Sequence, residues 1–241
     1  MLGETHTRDD KTANGRVHHP QRIYFDRIGQ ILKSPTRWLD VGCGRQLVPW
    51  WMKGNVELED ELKSRARWLV GIDPDLMALR DNRACHLRLK VDKSVLPFAD
   101  GAFDLITSNM VFEHVEDPRP LLAEIRRVLR RGGRLVMLTP NWLDIVTIAA
   151  RSVPNRLHPA IVSRLEARGE EDVYPTYFRF NRPGLVKKLL HVAGFNDCRI
   201  DLLDQPDTYS HVPVLSRIEA AWHGLAQRWP VLRGTLLIEA K

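Results

Sequence analysis

The stretch WLDVGCGRQ, Trp38 to Gln46, decides how the rest of the chain is read. An apolar run ends in Asp40 and then breaks into Gly42 and Gly44, with Cys43 between them. Two glycines so placed permit a tight turn and let backbone N–H groups approach a ligand closely. A strand that simply leaves its sheet can look the same, so the turn has to be judged by its surroundings. Gln46 stands where many such turns carry a third glycine, and position 47 is Leu.

Working outward, strand-like runs alternate with helical ones. RWLDV (37–41) is followed by RWLVGID (67–73), HLRLKVD (86–92), FDLITSN (103–109) and RLVMLTP (134–140). QRIYFDRIGQIL (21–32) has apolar residues at helical spacing, and PDLMALRDN reads as a short helix after the second strand. The helix after FDLITSN is the best marked. Asp117 can cap it, Pro120 suits its first turn, Leu121, Leu122, Ile125, Val128 and Leu129 form one face, and Gly132-Gly133 is expected to end it. Such alternation implies a parallel sheet with helices on both faces.

From Asn141 to Tyr177 the rhythm breaks around Pro154, Pro159 and Pro175, so 141–180 reads as an inserted lid or substrate-binding segment. NRPGLVKKLLHVAGF (181–195) is a helix with Asn181 as the expected cap and Gly194 as the stop. CRIDLLD (198–204) and GTLLIEAK (234–241) are strands flanking the amphipathic helix 214–229. Residues 1–18 read as a flexible tail, and 19–241 as one domain.

With 44% hydrophobic and 27% charged residues, the 241-residue chain has the material for a full core. The net charge of +6 could attract acidic partners. Its arginines are scattered except in RRVLRRGGR, where those ending a helix complement its dipole, and no nucleic-acid partner is expected. Three widely spaced cysteines, with no CxxC pair, argue against a disulfide framework or zinc site and for a reducing cytosol. The polar N-terminus has no apolar signal core, and no apolar run is long enough for a membrane span. The chain is expected to be cytoplasmic, with peripheral membrane contact left open and no indication of oligomeric state.

In an open parallel sheet, ligands bind beyond the carboxyl ends of the strands. Asp73 ends the second strand and could accept hydrogen bonds from a ribose diol, or cap PDLMALR. Asp92 ends the third and could accept from an exocyclic amine, or merely begin a turn. Together with the glycine turn, these acids fall in chain order at consecutive strand ends. A nicotinamide cofactor fits poorly, because Asp73 lies 29 residues past Gly44 and the third glycine is missing.

LDVGCG, GIDPD, VDKSVLPFADGAFDLI, SNMVFEHVEDP and LLAEIRRVLRRGGRLVMLTPN resemble the successive motifs of class I S-adenosylmethionine-dependent methyltransferases. They are most similar to the branch that includes the ubiquinone/menaquinone C-methyltransferases, over about residues 36–141 and more weakly through 181–241. The resemblance implies an α/β, Rossmann-like fold: a seven-stranded, mostly parallel sheet in which GTLLIEAK is antiparallel beside the fifth strand. It implies S-adenosyl-L-methionine as cofactor. Asp40, Gly42, Cys43 and Gly44 would surround its methionine part, and Asn109 would lie under the sulfonium region. Asp73 would hold the ribose hydroxyls and Pro74 would lie against the adenine. Asp92 would accept from the adenine amine, with the Lys93 backbone at the ring edge. Gln46 would begin the following helix, near the cofactor or the lid.

Methyl transfer from a sulfonium is an in-line displacement, so alignment and water exclusion come first. An oxygen or acidic carbon acceptor can also need a general base, for which His114 is the candidate; its structural alternative is to bond nearby backbone. Some relatives bind a metal three positions before the Glu-His pair, but here that position is Met110, a poor ligand for hard cations, so no metal is expected. His158, Tyr174, Tyr177 and Arg179 are possible substrate contacts, whereas Trp50 and Trp51 are expected to pack. A small-molecule acceptor is favoured, with O-methylation ranked ahead of C- or N-methylation. A non-catalytic, cofactor-binding partner subunit and an RNA methyltransferase are the alternatives.

Overall fold

The computed structural model describes residues 19–92, 94–152, 174–204 and 212–241, so the expected tail at 1–18 lies outside the described residues. The extended segments are β1 (Thr36–Val41), β2 (Ala66–Asp73), β3 (Leu87–Lys90), β4 (Phe103–Asn109), β5 (Leu129–Pro140), β6 (Cys198–Leu203) and β7 (Thr235–Ala240). They form one seven-stranded sheet in the order β3-β2-β1-β4-β5-β7-β6. The first five strands pair in parallel. β7 runs antiparallel between β5 and β6, in the place expected for GTLLIEAK.

Helices α1 (Pro20–Ile31), α2 (Asn55–Arg65), α3 (Leu76–Asp81), α4 (Pro118–Val128), α5 (Ile145–Arg151), α6 (Pro183–Val192) and α7 (Pro213–Arg228) accompany the sheet. Successive strand residues enter opposite layers, as the two-residue period requires. Trp38, Leu69, Leu105 and Val136 pack with Tyr24, Phe25 and Ile28 of α1 and Leu62 of α2. Leu39, Val70, Ile106 and Leu135 pack on the other face with Leu122, Ile125 and Val128 of α4 and Leu190 of α6. Each fully buried side chain of this size contributes roughly 1.5–3 kcal/mol. Trp38 also donates its indole N–H to Thr107 Oγ1 at 2.7 Å, so its burial leaves no unpaired donor.

Several local expectations give way to tertiary contacts. α4 is capped by Asp117 as expected but ends at Val128, where Leu129 is already extended. Gly132-Gly133 therefore lies inside the start of β5, where the register against β4 shifts. Asn181 does not cap α6. Arg182 holds the cap position without a side-chain bond, and the buried Asn181 amide donates to Thr139 Oγ1 at 3.0 Å and the Pro140 carbonyl at 2.7 Å. Pairing the buried Asn181 amide outweighs an exposed cap.

Gln46 begins no helix, because α2 starts only at Asn55. Trp50 and Trp51 are not packed; they are 76% and 46% exposed, and Trp51 meets His19 edge-on at 4.6 Å. Leu47, Val48 and Met52 of the same loop occupy the core positions instead. The clustered arginines are largely neutralised: Arg127 meets Glu124 and Asp100, and Arg130 meets Asp104. Among the described residues no helix is long and apolar enough to cross a membrane.

Candidate active site

From β1 the chain builds β2 and β3 to one side, and from β4 it builds β5 to the other. The strand order therefore reverses between β1 and β4, which leaves a crevice beyond their carboxyl ends. A cavity of ≈ 530 Å³ opens there. Asp40 and the turn Gly42, Cys43 and Gly44 reach it from β1, and Asp73 and Pro74 from β2. Asn109 reaches it from β4, followed by His114 on a single 3₁₀ turn, Phe112–His114. Tyr174 and Tyr177 line it from the far end of the insertion, and Gln46 from the loop before α2.

The turn is held from β2. Gly42 and Cys43 donate their N–H groups to the Ile72 carbonyl at 2.8 and 3.1 Å, and Gly44 N donates to Asp73 Oδ2 at 2.9 Å. Gly42 has φ +71°, and a Cβ there would meet Val111 Cγ2 at 2.3 Å, so close approach and backbone conformation both demand glycine. Gly44, at φ +54°, faces open space within the cavity. Cys43 contributes backbone only. A hydrogen bond with Cys85, then burial, pushes its thiol pKa far up and keeps it neutral.

Asp73 Oδ1 accepts from Asp75 N at 2.8 Å, while Oδ2 accepts from Gly44. A carboxylate offers about four acceptor positions, so two remain for ligand hydroxyls on the cavity side. Asp73 is not the helix cap; Asp75 is, accepting from Met77 and Ala78 N. Burial raises the Asp73 pKa, opposed by the Asp75 and Gly44 N–H groups. Asp40 is more deeply buried and accepts from Thr107 Oγ1 at 2.6 Å. Burial lifts its pKa to about 7 against that hydrogen bond, with the Asp73 charge adding to the rise.

Asn109 is oriented by a partner that no motif along the chain announces. Its amide exchanges two hydrogen bonds with Gln21 of α1, at 2.9 and 2.7 Å. His114 Nδ1 lies 2.9 Å from the Pro175 carbonyl. A carbonyl only accepts, so Nδ1 carries the proton and a neutral ring leaves Nε2 with the lone pair. Nε2 is 4.0 Å from the buried Glu113 carboxylate, which accepts from Thr139 Oγ1 at 3.1 Å. Burial raises the Glu113 pKa, opposed first by the His114 charge.

The 174–178 segment is fastened across the crevice. Tyr174 O–H donates to Asp75 Oδ2 at 3.0 Å, and Tyr177 and Phe178 N both donate to the Glu113 carbonyl at 2.7 and 3.1 Å. Asp92 is not among the cavity-lining residues. It is exposed, two residues beyond the end of the edge strand β3. Arg179 lines a neighbouring cavity instead. Lys93 and His158 lie outside the described residues.

Fold and crevice together define a doubly wound α/β protein with its ligand cavity at the strand-order switch. A family model described as a methyltransferase domain matches residues 39–137. The demethylmenaquinone methyltransferase of Renibacterium salmoninarum is 34% identical over 174 residues, covering 69% of this chain and 67% of that protein. That of Thermus thermophilus is 34% identical over 113 residues, covering 44% and 48%. The solved S-adenosylmethionine dependent methyltransferase from Mesorhizobium loti shares the fold, with a TM-score of 0.57 at 16% identity over 89% of this chain and 94% of that one. The chain spans less than half the length of several curated relatives that it matches. It belongs to the class I S-adenosylmethionine-dependent methyltransferases.

Proposed function

We propose that this chain transfers a methyl group from S-adenosylmethionine to a small-molecule acceptor, with oxygen ranked ahead of carbon or nitrogen. The observation that carries this reading is a single cavity joining Asp73 and the glycine turn to His114 and two tyrosines. The names of the relatives, two demethylmenaquinone methyltransferases, agree with a small acceptor.

The residues fit the cofactor: an open-faced Gly44, a carboxylate at Asp73 with unused acceptor positions, and an amide at Asn109 held in one orientation. When bound, S-adenosylmethionine supplies a methyl group already activated on a sulfonium. Asp73 would hold the ribose hydroxyls, Pro74 would lie against the adenine, and Asp92 would accept from the adenine amine. Asp40, Gly42, Cys43, Gly44 and Asn109 would surround the methionine part. His114 takes the acceptor's proton at Nε2, and the adjacent Glu113 carboxylate stabilises the imidazolium. Residues 174–178, the described end of the 141–180 segment, would act as the lid, the Tyr174–Asp75 bond helping to keep water out.

Incubating metabolite extracts with enzyme and methyl-labelled S-adenosylmethionine, followed by mass spectrometry, should reveal one labelled small-molecule product. Cofactor binding without any labelled product would instead favour a non-catalytic partner subunit. Label appearing in RNA would overturn the small-molecule reading.

A further inference from the structure

A second cavity, of ≈ 790 Å³, adjoins the first, and Tyr177 lines both. Its wall carries Trp142, Arg119, Arg179 and Arg182. Two acids, Glu116 and Asp117, also line it. Asp117 is occupied, accepting from Arg119 Nε and Nη2 at 2.8 and 2.7 Å while it caps α4. Arg179 lies near enough for its charge to help lower the Asp117 pKa, behind the Arg119 hydrogen bonds. Glu116 is exposed to solvent. Among the described residues neither Arg179 nor Arg182 forms an ion pair, whereas Arg37, Arg127 and Arg130 all do.

The charge there is concentrated rather than dispersed. The Arg182 and Arg151 guanidinium carbons lie 3.8 and 3.0 Å from the Trp142 ring centre. They are therefore within about 7 Å of each other, where like charges repel; the indole face offsets part of this. Burial, and then the Arg182 charge, lowers the Arg151 pKa. The α6 amino terminus adds to the positive field: Arg182 at its cap supplies no side-chain acceptor, and Leu185 of its first turn lines the cavity. An anion bound here would meet free guanidinium donors, which match carboxylate and phosphate oxygens in pairs.

We propose that the methyl acceptor carries a phosphate or carboxylate group, held by Arg179 and Arg182 beside Trp142, while its methylated atom reaches past Tyr177 to His114. This rests on the methyltransferase reading and names the substrate class for it. The test titrates inorganic pyrophosphate and citrate into protein saturated with S-adenosylmethionine, using wild type, Arg179→Ala/Arg182→Ala and Arg179→Lys/Arg182→Lys. The alanine pair should weaken anion binding at least about 10-fold, and the lysine pair should retain part of it. S-adenosylmethionine affinity should be the same in all three proteins.

In parallel, the labelled product from a metabolite extract should be retained on an anion exchanger. Loss of acceptor capacity after phosphatase treatment identifies a phosphate, and survival identifies a carboxylate. Equal anion binding by wild type and the alanine pair, or an unretained product, would overturn the proposal. Failure of all three proteins to bind S-adenosylmethionine would strike the methyltransferase reading instead.

Discussion

Asp73 has two of its acceptor positions taken by the N–H groups of Gly44 and Asp75, which present the remainder to the cavity. Asp73→Ala should weaken S-adenosylmethionine binding by roughly 1–3 kcal/mol, a change that calorimetry resolves easily. Unchanged affinity would leave Asp73 as a brace for the turn. His114 makes the opposite kind of prediction. With its Nδ1 proton committed to Pro175, His114→Ala should cut turnover about 10²-fold while cofactor affinity stays the same. Full turnover would reduce the mechanism to alignment. Both residues stand out in the sequence, because an acid or histidine just past an apolar run is conspicuous. Gln21 and Glu113 do not, since their partners Asn109 and Thr139 lie far away along the chain.

The β1 turn separates two glycines that look alike in DVGCG. Gly42 meets Val111 and Gly44 meets nothing, although both have positive φ. Gly42→Ala should therefore destabilise the fold by about 1–3 kcal/mol, seen as a melting temperature roughly 2–12 °C lower. Gly44→Ala should give a smaller thermal loss together with weaker cofactor binding. Equal thermal losses and equal affinities would refute this division. Elsewhere, elements were legible where their signal is local, as with Asp117 capping α4 and the φ +94° Gly194 that follows α6. They were misread where a distant partner decides. Asn181 has the side chain of a cap, but buried next to Thr139 and Pro140 it serves β5 instead.

For the whole molecule, burying several carboxyls at the crevice makes stability depend on pH. The folded Asp40 pKa of about 7 is above the ordinary carboxylate value of 3.8. Its contribution to stability is thus fully present below about pH 4 and lost as pH rises through about 7. That loss is on the order of 4 kcal/mol. Asp144, raised by burial to about 6, acts in the same direction. Urea denaturation across this range should show the unfolding free energy falling from pH 4 to 7. Asp40→Asn, which keeps the oxygen that accepts from Thr107, should flatten the fall. A variant with an undiminished slope would remove Asp40 as its source.

By itself the sequence determined the alternation of strand and helix, the glycine turn, and the acids at successive strand ends. All of these are written in local periodicity and in residues whose backbone demands are strict. Only the tertiary structure decided which of those groups face one another. Sheet order brings Asp40, Asp73, Asn109 and His114 to one crevice but leaves Asp92 exposed outside its lining. Packing exposes Trp50 and Trp51, because Leu47, Val48 and Met52 take the core instead. It also sets Arg151 and Arg182 against Trp142. The physical reason is that hydrogen bonds, burial and charge act over a few ångströms in space, whatever the separation along the chain.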